Sequence, residues 1–127
     1  MRARRGFTLV ELLISLVILT VVMTGLGRFV GSFLHGVGTS SARTVATAVA
    51  QEWLETIRAD RDYPNLVPNY NGNVVTGFPG YPAMQRTTRA VRTTGTTPRR
   101  DYTTITVTVT EPNMGTPINM TIVVAAP

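Results

Sequence analysis

A chain of 127 residues suits one modest domain plus an extended element better than two independent cores, since domains commonly run to ~100–150 residues. It contains no cysteine, which excludes a disulfide framework and any thiolate metal or nucleophile site. The formal charge of +5 is dominated by position: Arg2, Arg4 and Arg5 are three of the twelve basic residues, and without them nine face seven acidic ones. The basicity is therefore no argument for a polyanion partner. All twelve basic residues are arginine, a bias for which the sequence gives no functional account.

From Phe7 to Leu26 the only charged residue is Glu11. A bilayer hydrocarbon core of ~30 Å needs about 20 apolar helical residues, so residues 7–27 are expected to form a transmembrane helix. Arginines before the run and little net charge after it predict a cytoplasmic amino terminus and an outward-facing remainder. A secretory signal would have a shorter apolar stretch, about 7–15 residues, followed by a small-residue cleavage site. Here GRFVGSFLHGVGTSS follows instead, and cleavage after the apolar run is the weaker reading.

The run RRGFTLVELLISLVIL resembles the class III signal of type IV pilins and type II secretion pseudopilins. Basic residues, Gly6, Phe7, Thr8, Leu9, Glu11 and an apolar continuation all match in register. The resemblance implies a leader over residues 1–6 with basic residues Arg2, Arg4 and Arg5, prepilin peptidase cleavage between Gly6 and Phe7, and N-methylation of Phe7. It also implies that Glu11 compensates the amino terminus of a neighbouring subunit during assembly. Read physically, a carboxylate in an apolar helix is costly and marks either a functional partner or a position near the interface where it reaches water; a desolvated ion pair there would supply register.

Residues 28–62 are expected to continue the helix and pack on a head. Glycines at 25, 27, 31, 36 and 38 make continuity conditional, at about 1 kcal/mol each relative to alanine. Gly27 and Gly31, then Ser32 and Gly36, have the small-x-x-x-small spacing of close helix packing; simple flexibility is an equal reading. Related filaments commonly melt this region near a proline, and here glycines stand instead. From Thr39, Ala46, Ala50, Trp53, Leu54 and Ile57 fall on one helical stripe while Gln51, Glu55, Arg58 and Asp62 lie away from it. Trp53, Leu54 and Ile57 are the expected head-packing residues, and Trp53 reads as a core anchor rather than a ligand platform. A helix from Phe7 to about Asp60 would measure ~80 Å.

Tyr63-Pro64 is expected to end the helix, and residues 63–84, rich in Pro, Gly and Asn, read as a connecting loop of turns. Tyr63, Tyr70, Phe78 and Tyr81 there either form a partner surface or tether the loop to the head, the second being commoner. Residues 85–127 are expected to form an antiparallel meander of three strands. The clearest contains Ile105, Val107 and Val109 alternating with Thr104, Thr106, Thr108 and Thr110. The fold class is thus α+β, a long amino-terminal helix packed by its second half on a small antiparallel sheet.

No enzyme, cofactor or metal is expected. His35 has no second histidine or cysteine to complete a transition-metal site. Asp60 with Asp62, or Asp101 with Glu111, do not concentrate the oxygen ligands of a calcium loop. Ser40 and Ser41 lack a histidine-centred triad, and no phosphate loop follows a strand. Arg86, Arg89, Arg92, Arg99 and Arg100 permit a DNA-binding reading, but exposed strand and turn charge is the simpler one; nucleic acid is not an expected partner. Asn119-Met120-Thr121 fits a glycosylation acceptor but has little weight without a eukaryotic context.

The resemblance therefore implies a structural subunit of a type IV pilus-like filament, held in the bacterial inner membrane with a periplasmic head before joining a pilus or pseudopilus. Its short head resembles minor pilins and small pseudopilins. Implied partners are prepilin peptidase, other pilins or pseudopilins, the inner-membrane assembly platform and membrane lipid. The alternatives are a type II secretion pseudopilin, a DNA-uptake pilus subunit, or a membrane-anchored binding module that never polymerises.

Overall fold

The structure, a computed structural model, describes residues 7–96 and 99–127. It divides into two compact units, an amino-terminal one up to Val37 and a head from Gly38 to Pro127. Helix α1 (Leu9–Ala59) contributes to both and runs for 51 residues without interruption. The glycines at 25, 27, 31, 36 and 38 lie within it, and each has open space where a Cβ would stand, so none is required by a close approach within the chain.

In the amino-terminal unit, the large apolar side chains from Phe7 to Val37 are all at least half exposed, from Val22 and Val30 at 50% to Phe7 at 81%. The helix is long and apolar enough to cross a membrane. Its hydroxyls are turned inward along the backbone: Ser15 donates to the Glu11 carbonyl, Thr20 to Leu16 and Thr24 to Thr20, each at 2.8 Å. Such i−4 bonds satisfy hydroxyls where no water is available.

In the head, α1 buries a stripe of small and branched residues, Ala42, Ala46, Ala50, Leu54 and Ile57, at i+4 and i+3 spacing. This stripe shares a core with a four-stranded antiparallel meander in the order β1-β2-β3-β4. The strands are β1 (Val74–Phe78), β2 (Tyr81–Thr96), β3 (Arg99–Thr110) and β4 (Ile118–Ala125). Ile105, Val107 and Val109 of β3, with Met84 and Ala90 of β2, face the helix and are buried, joined by Leu66 and Met114 from the connections. Full burial of each large aliphatic side chain stabilises by about 1.5–3 kcal/mol. Cross-strand rows on this face read Thr88, Val107, Met120 and Ala90, Ile105, Ile122.

Two expectations are corrected. The helix stops at Ala59 rather than at residue 62, because the Asp60 carboxylate captures the Asp62 N–H at 2.9 Å, a local bond that competes with helix continuation. Residues 63–84 are not merely turns. They hold a 3₁₀ turn at Tyr63–Asn65, the short helix α2 (Leu66–Tyr70), strand β1 and the start of β2. The sheet thus has four strands instead of three. β1 is an edge strand whose register shifts between Thr76 and Phe78, where Gly77 takes φ 79°, a conformation that suits glycine. Pro79-Gly80 closes the hairpin to β2, with Gly80 at φ 77° as the third residue of a type II turn demands.

Candidate functional site

The first candidate site is the start of α1. The scissile pair and the leader arginines expected from sequence, Gly6 with Arg2, Arg4 and Arg5, lie outside the described residues. Phe7 precedes the helix and is 81% exposed. Thr8 caps the helix: its Oγ1 accepts from the Glu11 N–H at 3.3 Å and its carbonyl accepts from Leu12 at 3.1 Å. Thr8 and Glu11 stand at the first and fourth positions of the T-x-x-E spacing of a capping box, of which the structure shows the threonine half, Thr8 Oγ1 accepting from the Glu11 N–H. The backbone N–H of Glu11 thus takes part in starting the helix, while the motif resemblance assigns its carboxylate to assembly. A negative charge in a first helical turn also meets the positive end of the helix dipole.

The second candidate region is the face of the head around Trp53. Leu54 and Ile57 are buried. Trp53 is only half-buried, at the margin of the core. Its indole N–H donates to Thr88 Oγ1 at 2.9 Å, Tyr70 meets its ring edge-on at 5.7 Å, and the Arg86 guanidinium lies 3.9 Å above its centroid. Tyr70 in turn donates to Asp60 Oδ2 at 2.7 Å. The Asp62 N–H and the Tyr70 hydroxyl hold the Asp60 carboxyl below its usual range, and that same carboxylate holds the Tyr70 hydroxyl above its own.

At the other end of the same strand face, Asp101 accepts from the Tyr63 hydroxyl at 2.9 Å and from Arg92 Nε at 2.9 Å and Nη2 at 2.7 Å. Arg92 also lies over the Tyr63 ring at 5.1 Å, and its pKa is raised, mainly by the Asp101 hydrogen bond. The Asp101 carbonyl accepts from Ala126. One residue of β3 thereby fastens the start of the connection after α1, β2 and the residue that follows β4. Bidentate guanidinium–carboxylate geometry is among the stronger polar contacts available to a side chain.

All four aromatic residues of the connection act as tethers: Tyr63 on Asp101, Tyr70 on Trp53 and Asp60, Phe78 on the core margin, and Tyr81 through its hydroxyl to Ser41 at 2.8 Å. Thr39 reaches the Asn113 carbonyl, and Arg43 the Thr116 hydroxyl. The arginines do not assemble into one basic face. Arg86 is stacked on Trp53 and Arg92 is paired with Asp101, while Arg89 and Arg100 are exposed; the Arg99 side chain lies outside the described residues. The acidic pairs considered for calcium are occupied locally, with Asp62 on Asn65 and Glu111 on Asn113. Among the described residues no three histidine or acidic side chains come together as a metal site would need.

Residues 1–27 match the model of the prokaryotic N-terminal methylation motif. The chain thus carries the class III prepilin signal of type IV pilin-like proteins, which implies processing by prepilin peptidase and assembly with other pilins, and points to a structural subunit. The signal and the apolar helix are together consistent with membrane anchoring. No curated protein matches the chain, and no solved structure does.

Proposed function

We propose that this protein is a structural subunit of a type IV pilus-like filament, cut between Gly6 and Phe7, methylated on Phe7 and assembled through the first half of α1. The observation that carries the reading is the coincidence of the methylation motif over residues 1–27 with a helix whose apolar side chains are exposed throughout that region. Such a surface needs lipid or the helices of neighbouring subunits to cover it. In the head, Asp60, Asp101, Tyr63, Tyr70 and Arg92 are engaged in holding the connection in place. A filament built on this signal serves as a pilus, a secretion pseudopilus or a competence filament, and the minor-pilin reading rests on the small head.

Co-expression with a prepilin peptidase tests the processing step. Intact mass should fall by residues 1–6 and rise by one methyl group, with the methyl mapped to Phe7; an unaltered mass would leave a plain membrane-anchored module. Assembly is tested with Glu11→Gln, which removes the charge while keeping the side chain's length and the Thr8 bond to the backbone N–H of residue 11. Normal processing with loss of filament incorporation assigns the effect to the carboxylate. Undiminished incorporation removes the charge from the mechanism and leaves Glu11 as a helix-start residue.

A further inference from the structure

Arg86 sits in an arrangement that the filament reading does not use. Its guanidinium lies 3.9 Å from the Trp53 centroid and 5.9 Å from that of Phe78, so it rests on the indole with a second ring nearby. Its Nε is buried without a hydrogen-bond partner, and among the described residues no carbonyl or carboxylate accepts from its terminal amino groups. Burial lowers its pKa, and nearby Glu52 partly offsets this without forming an ion pair. These groups border a groove of about 550 Å³ lined by Val45, Val49, Glu52, Trp53, Phe78 and Arg86, among others. A second cleft of about 500 Å³, near Thr76 and Glu111, is lined by no cation.

A guanidinium stacked on aromatic rings with free N–H edges is pre-organised for an oxyanion, since little side-chain freedom is left to lose on binding. The neighbours narrow the choice. Glu52 repels a phosphate dianion more than a monoanion, and the apolar walls from Val45, Val49 and Phe78 suit a short methylene stem. We propose that this groove receives an acidic side chain, a glutamate or aspartate presented by another polypeptide, with its carboxylate on Arg86 and its stem against Trp53 and Phe78. A second copy of this head is a poor donor. Five of its six head carboxylates are engaged, Glu55 with Arg58, Asp60 with Tyr70, Asp62 with Asn65, Asp101 with Arg92 and Glu111 with Asn113, and the sixth, Glu52, lines this same groove beside its own Arg86. The occupant is accordingly a different protein, and the proposal stands whether or not the chain polymerises.

The chain contains a single tryptophan, and it forms the floor of the groove, so its emission reports occupancy directly. Full-length protein in detergent micelles is titrated with the blocked peptides acetyl-Gly-Glu-Gly-amide and acetyl-Gly-Gln-Gly-amide, and with inorganic phosphate. The expected result is a saturable change in Trp53 emission with the glutamate peptide, at least about tenfold tighter than with its glutamine counterpart. Glu52→Gln should tighten it by about threefold, and Arg86→Gln should abolish it while Arg89→Gln leaves it unchanged. Equal responses to the two peptides, or a stronger one to phosphate, would overturn the carboxylate assignment. If Arg86→Gln fails to fold by circular dichroism, the Glu52→Gln comparison decides: a weakened or unaltered response there refutes the proposal.

Discussion

Two stretches of α1 follow opposite rules. Before Val37 its apolar residues are exposed on all sides, whereas from Ala42 onward a narrow stripe is buried under a sheet and the other faces are polar. The first stretch is hydrophobic all round, as expected of a helix whose surroundings are lipid or other helices; the second is amphipathic, as expected of one that supplies half of its own core. The two stretches therefore call for different surroundings, an apolar one for the first and a sheet with water around it for the second.

Substitution should separate the two most sharply at isoleucine. Ile57→Ala opens a cavity under β3 and should cost about 2–5 kcal/mol of head stability, read by Trp53 fluorescence in a urea titration of the micellar protein. Ile18→Ala removes the same atoms from an exposed position and should leave that transition within about 0.5 kcal/mol. Equal effects would mean that the head depends on the span. Next in size, Trp53→Phe removes the donor to Thr88, a hydroxyl that is 1% exposed, and should destabilise by about 1–3 kcal/mol, followed by circular dichroism. The opposite sign is expected at Thr103. It lies on the core face of β3, fully buried, with a hydroxyl that has no partner, so Thr103→Val should stabilise by about 1 kcal/mol. Loss of stability would show that an ordered water or a shifted rotamer serves that hydroxyl.

The smallest effect concerns pH and should be confined to the head. The Asp60 carboxyl is lowered in the folded state, so its contribution is present above its unfolded value, about 3.9, and is lost as pH falls through the folded one. Tyr70 is raised, so its contribution is complete below about 10 and disappears as pH climbs through the folded value. Tyr70→Phe should remove the alkaline limb of the thermal-midpoint profile and only reduce the acid one, which rests first on the Asp62 N–H; a profile unchanged by that substitution would break the link.

Much of this was legible in the sequence, where the signal was local. The Ala46-to-Ile57 stripe follows from spacing within one helix, and β3 from the strict alternation of Ile105, Val107 and Val109 with threonine. Strand β1 was not legible, because NVVTGF is short, lies among Pro, Gly and Asn residues, and has both Val74 and Val75 exposed, so no alternation marks it. It exists by virtue of its pairing with β2, as in Val75 with Arg86. The same limit hid the polar sites. Trp53 meets Thr88 and Arg86 across more than thirty residues, and Arg92 meets Asp101 only because the β2–β3 hairpin brings them together. Thr8 was visible as part of the motif, but its capping bond emerges only when the helix start is fixed in space.

The Asp101 fastening has a further consequence for where and when this head can mature. A cross-link made of protons and charges in a chain without cysteine is indifferent to thiol–disulfide potential. Closing the connection on the sheet requires no thiol oxidant. A reducing agent should leave it closed.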